Sequence, residues 1–347
     1  MKQVANISEY QAIVEKYGQK GVRSNDYIQQ EAVDLIMRDA LYVDCYGKNA
    51  FFFVKKEIGM RMYYYINDLT ENADFCNIHD VVVEILFRGE IPNAEIEYLK
   101  KQGFRKNLIR DQYAAMYKDL AENITLTSEI QVEEAKSFTA VETACMLFND
   151  SFDKLSGDFI PASEYQKLLD TGSILIAWNA DKTSFLGALH QVKEGAVNVI
   201  GHVAVMEHAR GKGVGKALVD AFVERNKNPE KKEKTRYQLW VQRQNEAAVK
   251  MYQNKGFKYI NKSTISLIKY KRKMEKLLEL LAGVRPDVDF ENETALIDDG
   301  ILDSFDVVSI ISALDDEFDV QVRISELDPD NFNSAQSIWD LIQSLKK

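Results

Sequence analysis

Three glycines at alternate positions of a seven-residue stretch constrain the fold of this chain more than any other feature. The stretch follows the apolar run Val197–Val205, which predicts a β-strand. It precedes a segment in which Leu218, Ala221 and Phe222 share one face of a helix. A strand, a glycine-rich loop and a helix in this order predict an α/β fold, and a length of 347 residues suggests two or three domains. The stretch reads Arg210-Gly211-Lys212-Gly213-Val214-Gly215-Lys216.

This loop has the chemistry of a pyrophosphate site. The first turn of a helix has backbone N–H groups without intrahelical partners, and these groups and the helix dipole both favour an anion. Glycines let the backbone approach a ligand without Cβ clashes, and Lys212 and Lys216 add positive charge. Two other glycine-rich motifs do not fit. A Walker A loop would need glycine at Arg210 and Ser or Thr at Ala217, and the pattern G-x-G-x-x-G is absent.

A second motif follows downstream. The strand-like run Gln238–Val241 leads to Asn245, then to a helical segment containing Tyr252, and then to Gly256 and Phe257. Together with the R-x-x-G-x-G spacing of the loop, this order resembles the GNAT acyltransferases over residues 125–270. The other predicted elements of this region are a helix over Ala135–Phe148 and strands over Ile174–Trp178, Phe185–Val192 and Val197–Val205.

The resemblance implies a site for acyl-CoA, with acetyl-CoA as the expected donor. The backbone of Val203 and Val205 would bind the pantetheine arm where two parallel strands splay, and Asn245 would contact the arm from the other side. Tyr252 would protonate the leaving thiolate, because a thiol pKa of about 8.5 and a tyrosine pKa of about 10 are close. The alternatives are a helix N-cap for Asn245 and core packing for Tyr252. The pyrophosphate would lie on Arg210, Gly211, Lys212, Gly213, Gly215 and Lys216.

The general base is less clearly marked. An amine nucleophile must lose a proton, but the strand Val197–Val205 contains no Asp or Glu. His202 on this strand and His190 on the neighbouring one are candidates, because histidine titrates near neutral pH. A structural role for His202 and a chain of waters as the base are the alternatives.

The chain also contains an internal repeat. When Gly103-Phe104 is aligned with Gly256-Phe257, Tyr117 falls on Tyr270. Each copy shows a helix that ends at a glycine, an aromatic residue, and then a strand. We therefore expect residues 1–124 to form a degenerate GNAT-like lobe without a phosphate loop, with an unrelated α/β domain as the alternative. Strands are predicted there at Leu41–Val43, Ala50–Val54, Met62–Ile66 and Val81–Phe87.

A third segment, residues 271–347, is predicted to be helical and contains Ser304 in an acidic turn. The run Leu296–Val308 resembles the phosphopantetheine attachment site of acyl and peptidyl carrier proteins, with Phe305 where leucine is usual. The resemblance implies 4'-phosphopantetheine on Ser304, and as partners a phosphopantetheinyl transferase and a loading ligase. The alternative is that Ser304 is only an N-cap. The other predicted helices are Lys271–Leu281 and Ser337–Leu345.

Charge and cysteine usage exclude several classes of protein. The chain has 44 basic and 54 acidic residues, and the segment from Lys271 onward accounts for the whole net charge of −10. This balance does not suit nucleic acid. The three cysteines (Cys45, Cys76 and Cys145) lie far apart without metal-binding spacing, so we expect no metal and buried, reduced thiols. No apolar run approaches the length of a membrane span, and we expect a cytoplasmic protein.

The sequence therefore predicts an α/β protein with two GNAT-like mixed-sheet lobes followed by an all-α carrier-protein bundle. The leading hypothesis is an N-acyltransferase that transfers an acyl group from a pantetheine thioester to a small-molecule amine in a biosynthetic pathway. The carrier could deliver the acyl donor or hold the acceptor. The alternative is a carrier scaffold in which the GNAT-like lobes bind partners without catalysis.

Overall fold

The computed structural model describes residues 1–75, 78–121, 129–227, 230, 234–270, 272–323 and 326–346. Two compact units are present. The first contains Met1–Phe75 and Asp80–Ile268, and the second contains Cys76–His79 and Lys269–Lys347.

The first unit is built on one mixed sheet of 13 strands among the described residues. The sheet runs in the order β1-β3-β4-β5-β6-β13-β7-β12-β11-β10-β9-β8, with β2 paired to β5. The strands are β1 Lys2–Gln3, β2 Arg23–Ser24, β3 Leu41–Tyr46, β4 Asn49–Lys55, β5 Met60–Ile66, β6 Val81–Phe87, β7 Arg105–Met116, β8 Ile130–Glu134, β9 Ile174–Asn179, β10 Phe185–Glu194, β11 Val197–Val205, β12 Arg236–Gln242 and β13 Lys258–Lys269.

Helices cover both faces of this sheet. The helices α6 and α7 pack against β7, β11 and β12 around a core that includes Leu218, Phe222 and Leu239. The helices α4 and α5 pack on the opposite face around Phe148, Ile176 and Ala188. The helices of this unit are α1 Ile7–Tyr17, α2 Ala32–Met37, α3 Asn93–Lys101, α4 Phe138–Ser151, α5 Tyr165–Asp170, α6 Val214–Arg225 and α7 Glu246–Lys255, with a π-helical turn over Lys154–Asp158.

The sheet joins two lobes that exchange a strand. Each lobe has one parallel pair, β5 with β6 in the first lobe and β11 with β12 in the second. Strand β7 leaves the first lobe after α3 and pairs with β12 of the second lobe. Strand β13 leaves the second lobe after α7 and lies between β6 and β7. The last strand of each lobe thus completes the sheet of the other.

The predicted internal repeat is present in the structure. Helices α3 and α7 are followed by Gly103 and Gly256, which have positive φ angles of 88° and 106°. Phe104 and Phe257 are buried directly after them. A Cβ on Gly256 would come within 2.4 Å of the Asp119 carbonyl oxygen, so both backbone conformation and space require glycine there.

The second unit contains three long helices, α8 Arg272–Val284, α9 Ser304–Phe318 and α10 Ala335–Leu345. Their apolar faces enclose one core, in which Leu277, Ile310, Leu314 and Ile338 are fully buried. The predicted helical character of this segment is therefore confirmed.

Most predicted elements of the first unit are confirmed with small changes at their ends. The helix predicted from Ala135 begins at Phe138, because the Ser137 side chain accepts a hydrogen bond from the Ala140 amide and caps it. Strand Val197–Val205 has the predicted bounds. The expectation of buried thiols is wrong for Cys45, which is exposed. Burial raises the pKa of Cys145 to about 12, and Cys76 lies outside the described residues.

A search for helices long and apolar enough to cross a membrane found none in the described part of the chain.

Candidate functional site

The parallel strands β11 and β12 separate partway along their length. They pair from Val197 opposite Arg236 to Ile200 opposite Leu239. Beyond Ile200, β11 stays paired to β10 on its other side, while β12 stays paired to β7. The facing edges of the two strands therefore diverge, and their backbone groups become available to a ligand.

A β-bulge marks the point of separation. Strand β10 pairs His190 with His202 and Gln191 with Ile200, so Gly201 is an additional residue in β11. A Cβ on Gly201 would lie 2.9 Å from His190 Nδ1, so a larger residue there would displace the His190 ring. A bulge increases local twist and bends its strand, and here it bends β11 where the pairing with β12 ends.

The glycine loop follows β11 after a 3-10 turn over Glu207–Ala209 and leads into α6. Gly211 and Gly213 have φ angles of 74° and 86°, and Gly213 is the N-cap residue of α6. The first helical hydrogen bond runs from the Ala217 amide to the Gly213 carbonyl. The amides of residues 214–216 therefore precede the helical hydrogen-bond ladder and can bind an anion. Arg210, Lys212 and Lys216 are exposed around them.

Helix α7 completes this side of the site. Asn245 is its N-cap, since the Asn245 side chain accepts a hydrogen bond of 3.0 Å from the Ala248 amide. Tyr252 packs in the same core cluster as Val203 and Val205. A Cβ on Gly215 would lie 3.4 Å from Met251 Sδ and 3.8 Å from Val205 Cγ2. The structure thus brings the predicted strand, loop and helix residues together.

A cavity of about 390 Å³ lies beside the loop, between α6 and α7. Lys216, Lys250 and Asn254 line it, together with Lys255. Lys255 Nζ is 2.6 Å from Asp220 Oδ1, and both side chains are buried. Asp220 also lines the cavity and neutralises Lys255, so the net positive charge of the cavity comes from Lys216 and Lys250.

In the second unit, Ser304 is the first residue of α9 and is exposed. The helix is capped by Asp303, whose carboxylate accepts hydrogen bonds from the amides of Phe305 and Asp306. Asp306 in turn accepts one from the Asp303 amide. Capping is thus performed by neighbouring residues, which removes the N-cap alternative for Ser304. Two large apolar side chains of α9 near Ser304 are exposed to solvent: Phe305 is 84% exposed and Val308 is 65% exposed.

Comparison with known proteins assigns both parts of the chain. The model of an acetyltransferase (GNAT) domain matches residues 170–259, which include the separating strands, the glycine loop and α7. The chain contains a GNAT acetyltransferase domain. A carrier-protein segment is fused to it, as the following matches show.

The D-alanyl carrier protein of Bacillus subtilis (strain 168) is 34% identical over 74 residues, which are 21% of this chain and 95% of that protein. The acyl carrier protein of Buchnera aphidicola subsp. Baizongia pistaciae (strain Bp) is 32% identical over 72 residues, 21% of this chain and 88% of that protein.

Solved structures with a similar fold include a GCN5-related N-acetyltransferase from Sphaerobacter thermophilus, with a TM-score of 0.45 and 13% identity over 64% of this chain and 76% of that one. A tandem GNAT protein from the clavulanic acid biosynthesis pathway has a TM-score of 0.47 and 9% sequence identity. The match covers 77% of this chain and 97% of that one.

The environment of Tyr252 in the GNAT domain is apolar. Its side chain is 6% exposed and lies edge-on to Phe257, with ring centroids 5.9 Å apart. Burial raises the pKa of the Tyr252 phenol well above its ordinary value. The phenol therefore keeps its proton across the working pH range, as a proton donor requires, but its pKa lies further from that of a thiol than the sequence alone indicates.

His202 and His190 form a half-buried pair in the GNAT domain. Their Nδ1 atoms are 3.2 Å apart, and the His202 ring packs between Phe148 and Phe152 at centroid distances of 5.2 and 5.1 Å. Burial lowers the pKa of His190 to about 4 and that of His202 to about 3. A neutral imidazole of such low basicity accepts an ammonium proton poorly, which favours a chain of waters as the base.

The corresponding strands of the first lobe also separate, but there the gap is filled. Strands β5 and β6 pair as far as Met62 opposite Val83. The Asn25 carboxamide, which is 1% exposed, donates to the Met62 carbonyl at 3.2 Å and to the Glu84 carbonyl at 2.8 Å. It accepts from the Tyr64 amide at 2.7 Å. Asn25 therefore closes the first lobe, and no local sequence signal distinguishes it from other loop asparagines.

Proposed function

We propose that the GNAT domain transfers an acyl group from acyl-CoA to an amine, and that this amine is carried as an aminoacyl thioester on phosphopantetheinylated Ser304. The observation that carries the proposal is the separation of β11 from β12 beside a glycine loop at the N-terminus of α6. One chain thus combines a site for a pantetheine thioester with a serine suited to carry another.

The closed first lobe supports the binding mode. There, two carbonyls and one amide of the separated strands are satisfied by the carboxamide of Asn25. The pantetheine arm contains amide groups with the same donors and acceptors. In the proposal, one such amide binds the open backbone edge at Val203 and Val205, and Asn245 contacts the arm from α7.

The charged end of acyl-CoA would lie on the glycine loop. Its pyrophosphate would accept hydrogen bonds from the amides of residues 214–216, with Arg210, Lys212 and Lys216 neutralising its charge. A carrier-bound arm has a single phosphodiester and no pyrophosphate. The loop therefore favours CoA as the donor and leaves the carrier to hold the acceptor.

The carrier relatives support the same assignment. One of them is a D-alanyl carrier protein, and an alanyl thioester presents a free amine next to its carbonyl. We propose an aminoacyl thioester of this kind as the cargo of Ser304. A phosphopantetheinyl transferase and an amino-acid-loading ligase would be the partners.

The reaction would proceed by attack of the amine nitrogen on the thioester carbonyl of acyl-CoA. A C–N bond forms and the C–S bond breaks, with backbone N–H groups stabilising the tetrahedral oxyanion. Tyr252 donates its proton to the leaving thiolate, and the amine proton passes through water, near His202, to restore the phenol. The products are an N-acylaminoacyl carrier and CoA.

Intact mass spectrometry tests this proposal in two steps. A broad-specificity phosphopantetheinyl transferase with CoA should add one phosphopantetheine to the wild type and to Ser309→Ala, but none to Ser304→Ala. With alanyl-CoA in place of CoA, later addition of acetyl-CoA should add one acetyl group to the arm.

An acetyl group on an arm that carries no amino acid would indicate that the carrier instead holds the acyl donor. No acetylation of the alanyl arm, together with no binding of acetyl-CoA by calorimetry, would favour the non-catalytic scaffold.

A further inference from the structure

In the proposed reaction, the acceptor would approach along the segment between α4 and α5. Val203 and Val205 pack toward α6 and α7, whereas His202 between them packs toward α4, because neighbouring strand residues face opposite sides of a sheet. The glycine loop lies on the α6 side. In the proposed binding mode an acceptor would therefore reach the thioester from the α4 side, where Phe152 of this segment touches His202.

This acceptor segment, residues 152–161, is held by two arginines from outside the second lobe. Its residue Ser156 is 1% exposed. Arg61 of β5 donates to the Ser156 carbonyl at 2.9 Å, and Arg110 of β7 donates to Ser156 Oγ at 2.9 Å. The segment is thus bound through both its backbone and its side chain.

One carboxylate joins the two arginines. Glu84 of β6 accepts from Arg110 at 3.0 Å and forms an ion pair with Arg61 at 3.2 Å. Arg61 and Glu84 lie in the first lobe, and Arg110 lies on the exchanged strand. The backbone of the first lobe also meets this segment, since a Cβ on Gly59 would come within 2.4 Å of Leu155 Cδ1.

We propose that the closed first lobe is a positioning module for the acceptor site of the second lobe. Arg61 and Glu84 fix the acceptor segment through Ser156, and this fixes where an amine can approach the thioester. Arg61 is a positioning residue, because it acts through the segment. The inference rests on the proposed function for its effect on turnover, but the contact itself can be tested without turnover.

The test compares the full-length wild type with Arg61→Met and Arg61→Lys. Amide hydrogen exchange in residues 152–161 should be faster in Arg61→Met. With free alanyl-pantetheine as the acceptor, the acceptor KM should rise by about tenfold, the effect of losing a hydrogen bond to a charged group, while the KM for acyl-CoA stays the same. Arg61→Lys should show smaller changes in exchange and in acceptor KM than Arg61→Met. Lysine keeps the positive charge but lacks the two guanidinium nitrogens that contact Ser156 and Glu84 separately.

Arg38→Met is the matched control, because Arg38 also belongs to the first lobe and pairs with a carboxylate, that of Asp34. It should change neither exchange in residues 152–161 nor the acceptor KM.

Equal exchange in wild type and Arg61→Met would overturn the proposal, as would an equal rise in both KM values. A wild type without transfer activity would refute the proposed function instead, and the exchange measurement would still decide whether Arg61 holds the segment.

Discussion

At the scale of single residues, burial sets the acid–base properties of the site. Tyr252 is enclosed with Phe257 and has a raised pKa, so its phenol stays protonated, as the proposed proton donor must. His190 and His202 are enclosed with Phe148 and have lowered pKa values. The uncharged forms of all three side chains are therefore favoured.

The Tyr252→Phe substitution should lower kcat by about 100-fold, the usual effect of removing a general acid. Packing against Phe257 is retained, so acyl-CoA affinity should be unchanged by calorimetry. Because the pKa of Tyr252 is raised, the wild-type rate should show no decline from phenol ionisation as the pH approaches the ordinary tyrosine pKa. Tyr259→Phe, at an exposed tyrosine of β13, serves as the control. Equal turnover in wild type and Tyr252→Phe would assign Tyr252 to packing alone.

The histidine pair should make stability depend on pH. The folded-state pKa values of about 4 and about 3 lie below the unfolded value of 6.5, so the unfolded chain binds more protons as the pH falls below 6.5. The contribution of the histidine pair to the free energy of unfolding is therefore fully present above pH 6.5. It is lost as the pH falls toward the folded-state pKa values of about 4 and about 3. Between pH 7 and pH 5 the free energy of unfolding should fall by about 2 kcal/mol for each histidine.

Urea unfolding at both pH values measures this loss. The double variant His190→Gln/His202→Gln should lose most of the dependence, whereas the exposed His208→Gln should retain it. The same pH dependence in the double variant would contradict the role assigned to the pair.

At the scale of elements, the loop before α6 depends on its backbone conformation. Gly213 has a φ of 86°, and a Cβ there would contact nothing within 4 Å. Any effect of a side chain at this position therefore comes from the left-handed conformation, which costs an L-residue about 1–2 kcal/mol.

Gly213→Ala should destabilise the protein by about 1–2 kcal/mol, and it should weaken CoA binding by about tenfold or more as the donor amides are redirected. Gly195→Ala is a matched control, because Gly195 has a φ of 59° and the same empty surroundings in the turn between β10 and β11. It should show the stability loss alone. Equal CoA affinity in both variants, measured by calorimetry, would argue against binding at this loop.

At the scale of the whole molecule, strand exchange makes the two lobes interdependent. Strand β7 is paired on one side with β12 and on the other with β13, both from the second lobe. Neither lobe can satisfy the backbone groups of its last strand without the other. The second unit differs, because its three helices enclose a core of their own.

Fragments 1–121 and 122–268 should therefore fail to fold separately and should form a folded complex when expressed together, whereas fragment 269–347 should fold alone. Circular dichroism and co-purification check these outcomes. A cooperative thermal transition in isolated fragment 1–121 would show that the lobe does not need the exchange.

Features with a local spacing were predictable from the sequence. Strand Val197–Val205, the glycine loop, the start of α6 and the repeat around Gly103 and Gly256 depend on residues close together in the chain. The helix at Ser304 was predictable for the same reason, although its N-cap is Asp303 and not Ser304.

The tertiary structure alone decided what depends on distant residues. The exchange of β7 and β13, the closure of the first lobe by Asn25 and the contact of Arg61 with Ser156 join parts of the chain that no pattern relates. The pKa values of Tyr252 and His202 likewise depend on which side chains surround them. Local spacing fixes the dihedral preferences and polarity of a segment, whereas pairing and desolvation are set only when separate segments meet.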